Sequence, residues 1–252
     1  MPAMTDELVH YDVTGPLATV TLDSPHNKNA LSRQLVTELF AHLETAEADP
    51  DVRVVLIRSA DRVFCSGADL SEATTGGMEE GARRIVELQR FVVTMSKPVV
   101  TCVLGAVRAG GIGLVAASDV AIVAEDASFA LTEVKLGLAA AIISLTVHHR
   151  MHPRAAALTT LAGEVFRGTE AAAYGLVTMA VPADDLDEEV RRVCDSLAGG
   201  APQGLRESKA ILNRELVARI DAHGEDMAAL SARLFASDEA REAMTAFLNR
   251  KR

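Results

Sequence analysis

One carboxyl group in this sequence is singled out by its neighbours. Glu133 lies in Phe129-Ala130-Leu131-Thr132-Glu133-Val134-Lys135-Leu136-Gly137, with aliphatic residues on both sides. An acid in such a run is either turned to solvent or placed for function. If it is buried, lost hydration favours the neutral form, raises the pKa and suits the group to proton transfer near neutral pH. Two further segments are rich in small residues: Phe64-Cys65-Ser66-Gly67-Ala68-Asp69-Leu70 and Gly105-Ala106-Val107-Arg108-Ala109-Gly110-Gly111-Ile112-Gly113. Small residues let backbone approach a ligand closely. Asp69 is of the type that begins a helix, and residues 114–117 have helical composition. N–H groups near helix starts donate to anions. Two such donors converging on one oxygen would stabilise an enolate or a tetrahedral oxyanion. Taken singly, each segment is more simply a tight turn, and Glu133 a surface or capping acid. Taken together, they describe proton transfer beside a stabilised oxyanion.

Other reactive types are less informative. His148, His149 and His152 fall in HHRMH, without the intervening carboxylate of a helical zinc site, so surface or packing roles are expected and no metal. Cys65, Cys102 and Cys194 are odd in number and form no CxxC, which fits buried free thiols in a reducing compartment. Arg108 stands beside the second glycine-rich turn, placed to pair either with an acidic ligand group or with Glu133 itself; the second pairing would lower the Glu133 pKa. The formal net charge of −10 and the absence of a basic cluster exclude a nucleic-acid partner. They leave room for a small phosphorylated molecule, which a few cations and backbone N–H groups can hold.

The elements that must position these groups follow from periodicity. Residues 8–13 and 17–23 alternate around Gly15-Pro16 and predict a hairpin. Residues 32–48 predict an amphipathic helix capped by Ser32, and residues 54–57 a buried strand. A second round predicts a helix at 79–95 and strands at 98–103 and 119–123. This alternation implies crossover connections and an α/β fold. Residues 136–147 form a nearly apolar run, too short to span a bilayer and suited to a buried helix. With no signal-like N-terminus, a cytoplasmic protein without membrane attachment is expected. From Pro153 onward helical patterns dominate, at 153–161, 169–174, 186–197, 202–216, 221–235 and 238–248, with a strand at 177–181. The break at Gly199-Gly200-Ala201-Pro202 divides a core, 1–199, from a helical region, 200–252, too small for a core of its own. The 252 residues include no Trp and two Tyr, so packing must be aliphatic.

In order along the chain, Asn29-Ala30-Leu31, the segment 64–70, the stretch 105–119 ending at Asp119, the segment 129–137, and Gly168-Thr169-Glu170-Ala171-Ala172 through Gly175-Leu176-Val177 resemble the enoyl-CoA hydratase/isomerase (crotonase) superfamily. Ser208-Lys209 and Ala246-Phe247 resemble its C-terminal helices. The resemblance implies a spiral of ββα units with a C-terminal helical region for oligomerisation, assembled as a homotrimer or homohexamer. It implies an acyl-CoA thioester as ligand, with no cofactor beyond the coenzyme A carried by the substrate. By position it assigns Glu133 as the acid/base and the backbone N–H groups of Ser66 and Gly110 as oxyanion donors. Substrate contacts are implied for Asn27, Lys28, Ala30, Arg62, Ser66, Gly67, Ala68, Asp69, Gly110, Gly113 and Phe247, with Lys209 a further candidate for the coenzyme phosphates and Lys251 a neighbour of Phe247. The chain departs from the two-glutamate hydratases at Gly113, where their first glutamate would stand, and this is similar to single-glutamate members of the methylglutaconyl-CoA hydratase type. The resemblance implies 2-enoyl-CoA hydration, with Δ3,Δ2-enoyl-CoA isomerisation or non-catalytic acyl-CoA binding as alternatives. In a one-carboxylate hydratase, a backbone group near Ala141 or the Ser144 side chain is expected to anchor the water.

Overall fold

The computed structural model describes residues 7–69, 72 and 77–250, the side chains of 247–250 excepted. Strands β1 (Val9–Thr14) and β2 (Leu17–Leu22) form the hairpin. Helix α1 (Arg33–Ala48) starts where the Ser32 hydroxyl accepts from Leu35 N–H, and it buries Leu35, Val36, Leu39 and Leu43 at helical spacing. Strand β3 (Val54–Ser59), helix α2 (Met78–Thr94) and strands β4 (Val99–Val103) and β5 (Ala106–Arg108) follow. Next come helix α3 (Gly110–Ala117), strands β6 (Val120–Ala124) and β7 (Ser128–Ala130), and a 3-10 turn, Glu133–Leu136. Helices α4 (Ala141–Arg150) and α5 (Pro153–Ala162), strand β8 (Phe166–Arg167), helix α6 (Gly168–Ala173), strand β9 (Met179–Val181) and helices α7 (Leu186–Ala198), α8 (Pro202–Phe235) and α9 (Asp238–Arg250) complete the chain.

Six strands pair in the order β1-β2-β3-β4-β6-β9, parallel except for the hairpin. A second sheet has the order β5-β7-β8. The chain therefore places β4 in the first sheet and β5 in the second, then β6 in the first and β7 in the second. This alternation is the α/β spiral expected from the sequence. Strands β3 and β4 are buried along almost their whole length, as central strands with both faces covered are.

Three expectations are corrected. Residues 202–216 and 221–235 are one helix of 34 residues, since 217–220 hold neither Gly nor Pro to break it. The apolar run 136–147 is not one helix: Gly137 takes a left-handed φ of 68° and ends the 3-10 turn, and α4 starts only at Ala141. Asp69 does not begin α2, whose first residue is Met78; its carboxylate accepts from Asn27 Nδ2 at 3.1 Å. The C-terminal region is bound to the rest of the chain through α8, whose Leu216 and Ile220 belong to the same buried cluster as the sheet residues.

Candidate active site

The three segments singled out in the sequence are brought together by strand pairing. Val107 pairs in parallel with Cys65 on one side and with Phe129 on the other. Arg108 N–H donates to the Cys65 carbonyl at 2.9 Å, and Ala109 N–H to the Ala130 carbonyl at 3.3 Å. Parallel neighbours in register end at the same edge, so Ala68, Gly110 and the Thr132-Glu133 pair leave from one side of the second sheet. Gly67 requires its freedom here. Its φ is +100°, and a Cβ added to it would stand 3.0 Å from the Ala109 Cβ, so the two turns pack against each other. Ala109 itself holds a φ of +45°, costly for a residue with a side chain, directly before Gly110.

One of the two N–H groups expected as donors is already engaged. Ser66 N–H donates to the Lys28 carbonyl at 3.1 Å, and its hydroxyl to the Asn27 carbonyl at 2.9 Å. Ser66 is thus spent on holding the 27–28 backbone, and Ala68 is the residue of this turn whose N–H has no hydrogen bond among the described residues. Gly110 is the first residue of α3, so its N–H has no partner inside the helix.

Glu133 opens the 3-10 turn. Its Oε2 is buried without a hydrogen-bond partner among the described residues. Burial pushes the carboxyl up to about 7, against a small opposing pull from its own N–H. Arg108 does not pair with it: that guanidinium donates to the carbonyls of Val107 and Ser128 and to the Ser128 hydroxyl. Helix α9 abuts the turn, since a Cβ on Gly137 would stand 3.2 Å from the Ala240 backbone.

Gly113 is not an empty place for a second acid. A Cβ there would meet Ile143 Cγ2 at 2.5 Å and Gln89 Oε1 at 3.1 Å. Gln89, 1% exposed, accepts from the Thr146 hydroxyl at 2.7 Å and donates to the carbonyls of Ile85 and Ile142. Neither Gln89 nor Thr146 stands out in the sequence, because each is a single polar residue on an otherwise apolar helix face. The Ser144 hydroxyl, expected as a possible water anchor, donates to the Ala141 carbonyl at 2.6 Å.

A cavity of about 380 Å3 opens beside Ala68, walled by Leu31, Val36, Ala68, Ile85, Ile142 and Phe235 among others. Glu133 is not one of its walls; the cavity extends from the donor turn toward α1, α2 and α8. Lys28 is exposed, with a left-handed φ of 58°, and lines a smaller recess of about 40 Å3 with Ser24 and Pro25. Asn27 and Ala30 adjoin it, the Asn27 Oδ1 accepting from Ala30 N–H at 3.3 Å. Arg62 is exposed and paired with Asp126 at 2.9 Å. Lys209 is not available to a phosphate: it is 5% exposed, paired with Asp119 at 2.7 Å, and donates to the carbonyls of Val92 and Lys97. The side chain of Phe247 and the whole of Lys251 lie outside the described residues. No group of His, Cys, Asp and Glu among the described residues has the geometry of a metal site.

The sequence matches the family described as enoyl-CoA hydratase/isomerase over residues 13–252. It is 30% identical over 217 residues to the (E)-benzylidenesuccinyl-CoA hydratase of Thauera aromatica, covering 82% of this chain and 84% of that protein. It is 26% identical over 265 residues to the peroxisomal Delta(3,5)-Delta(2,4)-dienoyl-CoA isomerase of Arabidopsis thaliana, covering 98% and 95%. Among solved structures, an enoyl-CoA hydratase from Mycobacterium avium superimposes with a TM-score of 0.91 at 45% identity, covering 98% of both chains. With a family match over residues 13–252 and a fold shared with the Mycobacterium avium hydratase at 45% identity, this chain belongs to the enoyl-CoA hydratase/isomerase family.

Proposed function

We propose that the protein hydrates a 2-enoyl-CoA thioester, with the N–H groups of Ala68 and Gly110 on the thioester oxygen and Glu133 handling the proton. The observation that carries this reading is the buried Glu133 Oε2, without a partner among the described residues, in the turn that follows a strand in register with those leading to the other two turns. Ionised Glu133 takes a proton from water as the water oxygen bonds to Cβ. The C=C electron pair moves toward Cα and the thioester, and the oxygen becomes an enolate oxyanion held by the two N–H donors. Glu133 then returns the proton to Cα, so one water is added and the carboxylate is regenerated. Loss of one oxyanion donor costs about a hundred- to a thousand-fold in such sites. One carboxylate is used twice, as Gly113 requires.

The same feature favours a second reading, Δ3,Δ2-enoyl-CoA isomerisation, in which Glu133 moves one proton from C2 to C4 through a dienolate in the same oxyanion site. Turnover of 2-enoyl and 3-enoyl thioesters in ¹⁸O-labelled water separates them. Label in a 3-hydroxyacyl product marks hydration; double-bond migration without label marks isomerisation. Glu133→Gln is expected to lower either rate by at least about a hundred-fold while the variant still binds coenzyme A thioesters. Wild-type rates in that variant would remove Glu133 from the chemistry. Assembly as a trimer or as two stacked trimers is part of the same proposal. It is supported by the exposed Leu158, Leu161 and Val165, and sedimentation measures it.

A further inference from the structure

We infer that the cavity beside Ala68 selects a neutral, apolar acyl tail longer than four carbons, and discriminates against short tails and against tails ending in a carboxylate. This rests on the enoyl-CoA reading above, which places the thioester oxygen at Ala68 and so the mouth of the cavity at the acyl chain.

Two features support it. The first is size. At about 380 Å3 the cavity holds roughly a dozen water-sized volumes. A four-carbon acyl group has two carbons beyond Cα and would leave most of that space to solvent. Leu31, Val36, Ala82, Ile85 and Ile142, from α1, α2, α4 and the turn before α1, form an apolar part of the wall, with the buried Ser32 and Ser231 also lining it. Solvent against such a wall is what an aliphatic or ring-bearing tail displaces with gain.

The second feature is charge. Among the described residues two cations border the cavity, and both already have acidic partners. Arg33 Nη2 stands 3.5 Å from Glu80, and Arg84 Nη1 stands 2.9 Å from Glu87, with its guanidinium 4.6 Å over the Phe40 ring. Asp69, which accepts from Asn27 Nδ2, and Glu72, which accepts from Arg33 N–H, add two more carboxylates to the same wall. An acyl tail ending in a carboxylate would meet acids at close quarters and would have to compete for both arginines. That argues against the methylglutaconyl type of substrate which the resemblance of the sequence implied.

The test is a binding ladder that does not need turnover. Dissociation constants of saturated butanoyl-, octanoyl- and glutaryl-CoA are measured by calorimetry on the wild-type protein, alongside kcat/KM for 2-butenoyl- and 2-octenoyl-CoA. Each buried methylene is worth about a four-fold change, so four of them set a ceiling of roughly two-hundred-fold. Octanoyl-CoA is expected to bind at least about ten-fold tighter than butanoyl-CoA, and glutaryl-CoA no tighter than butanoyl-CoA. Ala82→Leu on α2 and Ser231→Leu on α8 fill the cavity from two sides. Each is expected to lower the octanoyl-to-butanoyl ratio several-fold, with a thermal melt confirming a folded protein. Equal affinity across chain lengths, or preference for glutaryl-CoA, overturns the inference. If no thioester is turned over while the ladder holds, the reaction proposed above fails and the tail selection stands.

Discussion

The Glu133 carboxyl, pushed up to about 7 by burial from an ordinary value of 4.5, binds its proton more tightly in the folded chain than in the unfolded one. Between those two values the folded state carries more protons, so this group's effect on stability becomes less favourable as pH rises through that window. The whole penalty, on the order of 3 kcal/mol, is present above the folded value. Glu133→Gln lacks this titration. Relative to wild type it is expected to gain about 1–3 kcal/mol on passing from pH 5 to pH 8, read from urea unfolding at both. Parallel pH profiles for the two proteins would mean that the carboxyl is not desolvated. In the rate, the ionised form is the starting base, so kcat/KM is expected to rise with an inflection near pH 7. Gly113 is the complementary residue. Because Ile143 and Gln89 occupy the space over it, Gly113→Glu is expected to destabilise by about 1–3 kcal/mol or more and to give no faster hydration. A stable, faster variant, measured by melting and by hydration rate, would show that a second carboxylate can enter.

At the scale of elements, the site depends on how α2, α3 and α4 are clamped. Gln89 on α2 holds the Ile142 carbonyl on α4, and the Thr146 hydroxyl on α4 reaches both Gln89 and the Gly113 carbonyl on α3. Ile142 is in turn a wall of the acyl cavity. Gln89→Leu leaves the Thr146 hydroxyl only the longer bonds to the Gly113 and Ile143 carbonyls and frees the Ile142 carbonyl, and Thr146→Val takes the donor from the Gln89 Oε1. Each is expected to cost about 1–3 kcal/mol. The double variant should cost less than their sum by more than about 0.5 kcal/mol, the sign of a coupled pair in a double-mutant unfolding cycle. Simple additivity would mean that the two groups act separately. The sequence shows α2 as an amphipathic helix with Ile85, Leu88, Phe91 and Val92 on one face, and the structure buries Ile85, Leu88 and Val92 and leaves Phe91 half-buried. It cannot show that Gln89 shares their burial, because an amide in a helix is ordinarily solvated unless a distant partner meets it.

Across the whole molecule, α8 ties the C-terminal region to the core through a buried polar network. Lys209 pairs with Asp119, Asn213 Nδ2 reaches Asp119 Oδ1 at 3.1 Å, and Arg150 donates to Asn213 and to the carbonyls of Ala116 and Ser118. Desolvation lowers the Lys209 pKa, opposed by Asp119. Lys209→Met leaves Asp119 without its cation and is expected to cost about 3 kcal/mol or more, while coenzyme A affinity changes less than about two-fold. Unchanged stability with weakened coenzyme binding would return Lys209 to the phosphate role that the sequence pattern gave it. Leu216 and Ile220 share the buried cluster of the main sheet, so the two regions are expected to unfold in one transition.

What the sequence by itself determined is local or ordered along the chain. Apolar periodicity and the Ser32 cap define α1, short β-branched and apolar runs define β3 and β4, and the ordered segments around Gly67, Gly110 and Glu133 carry the resemblance to the family. Only the tertiary structure decided which groups are already engaged. Ser66 N–H is taken by a carbonyl 38 residues earlier, the space over Gly113 by residues 24 earlier and 30 later, and the Lys209 ammonium by carbonyls 117 and 112 residues earlier. The physical reason is that secondary structure follows from near neighbours in the chain. Whether a polar group is desolvated or satisfied depends on what the fold brings against it from far away.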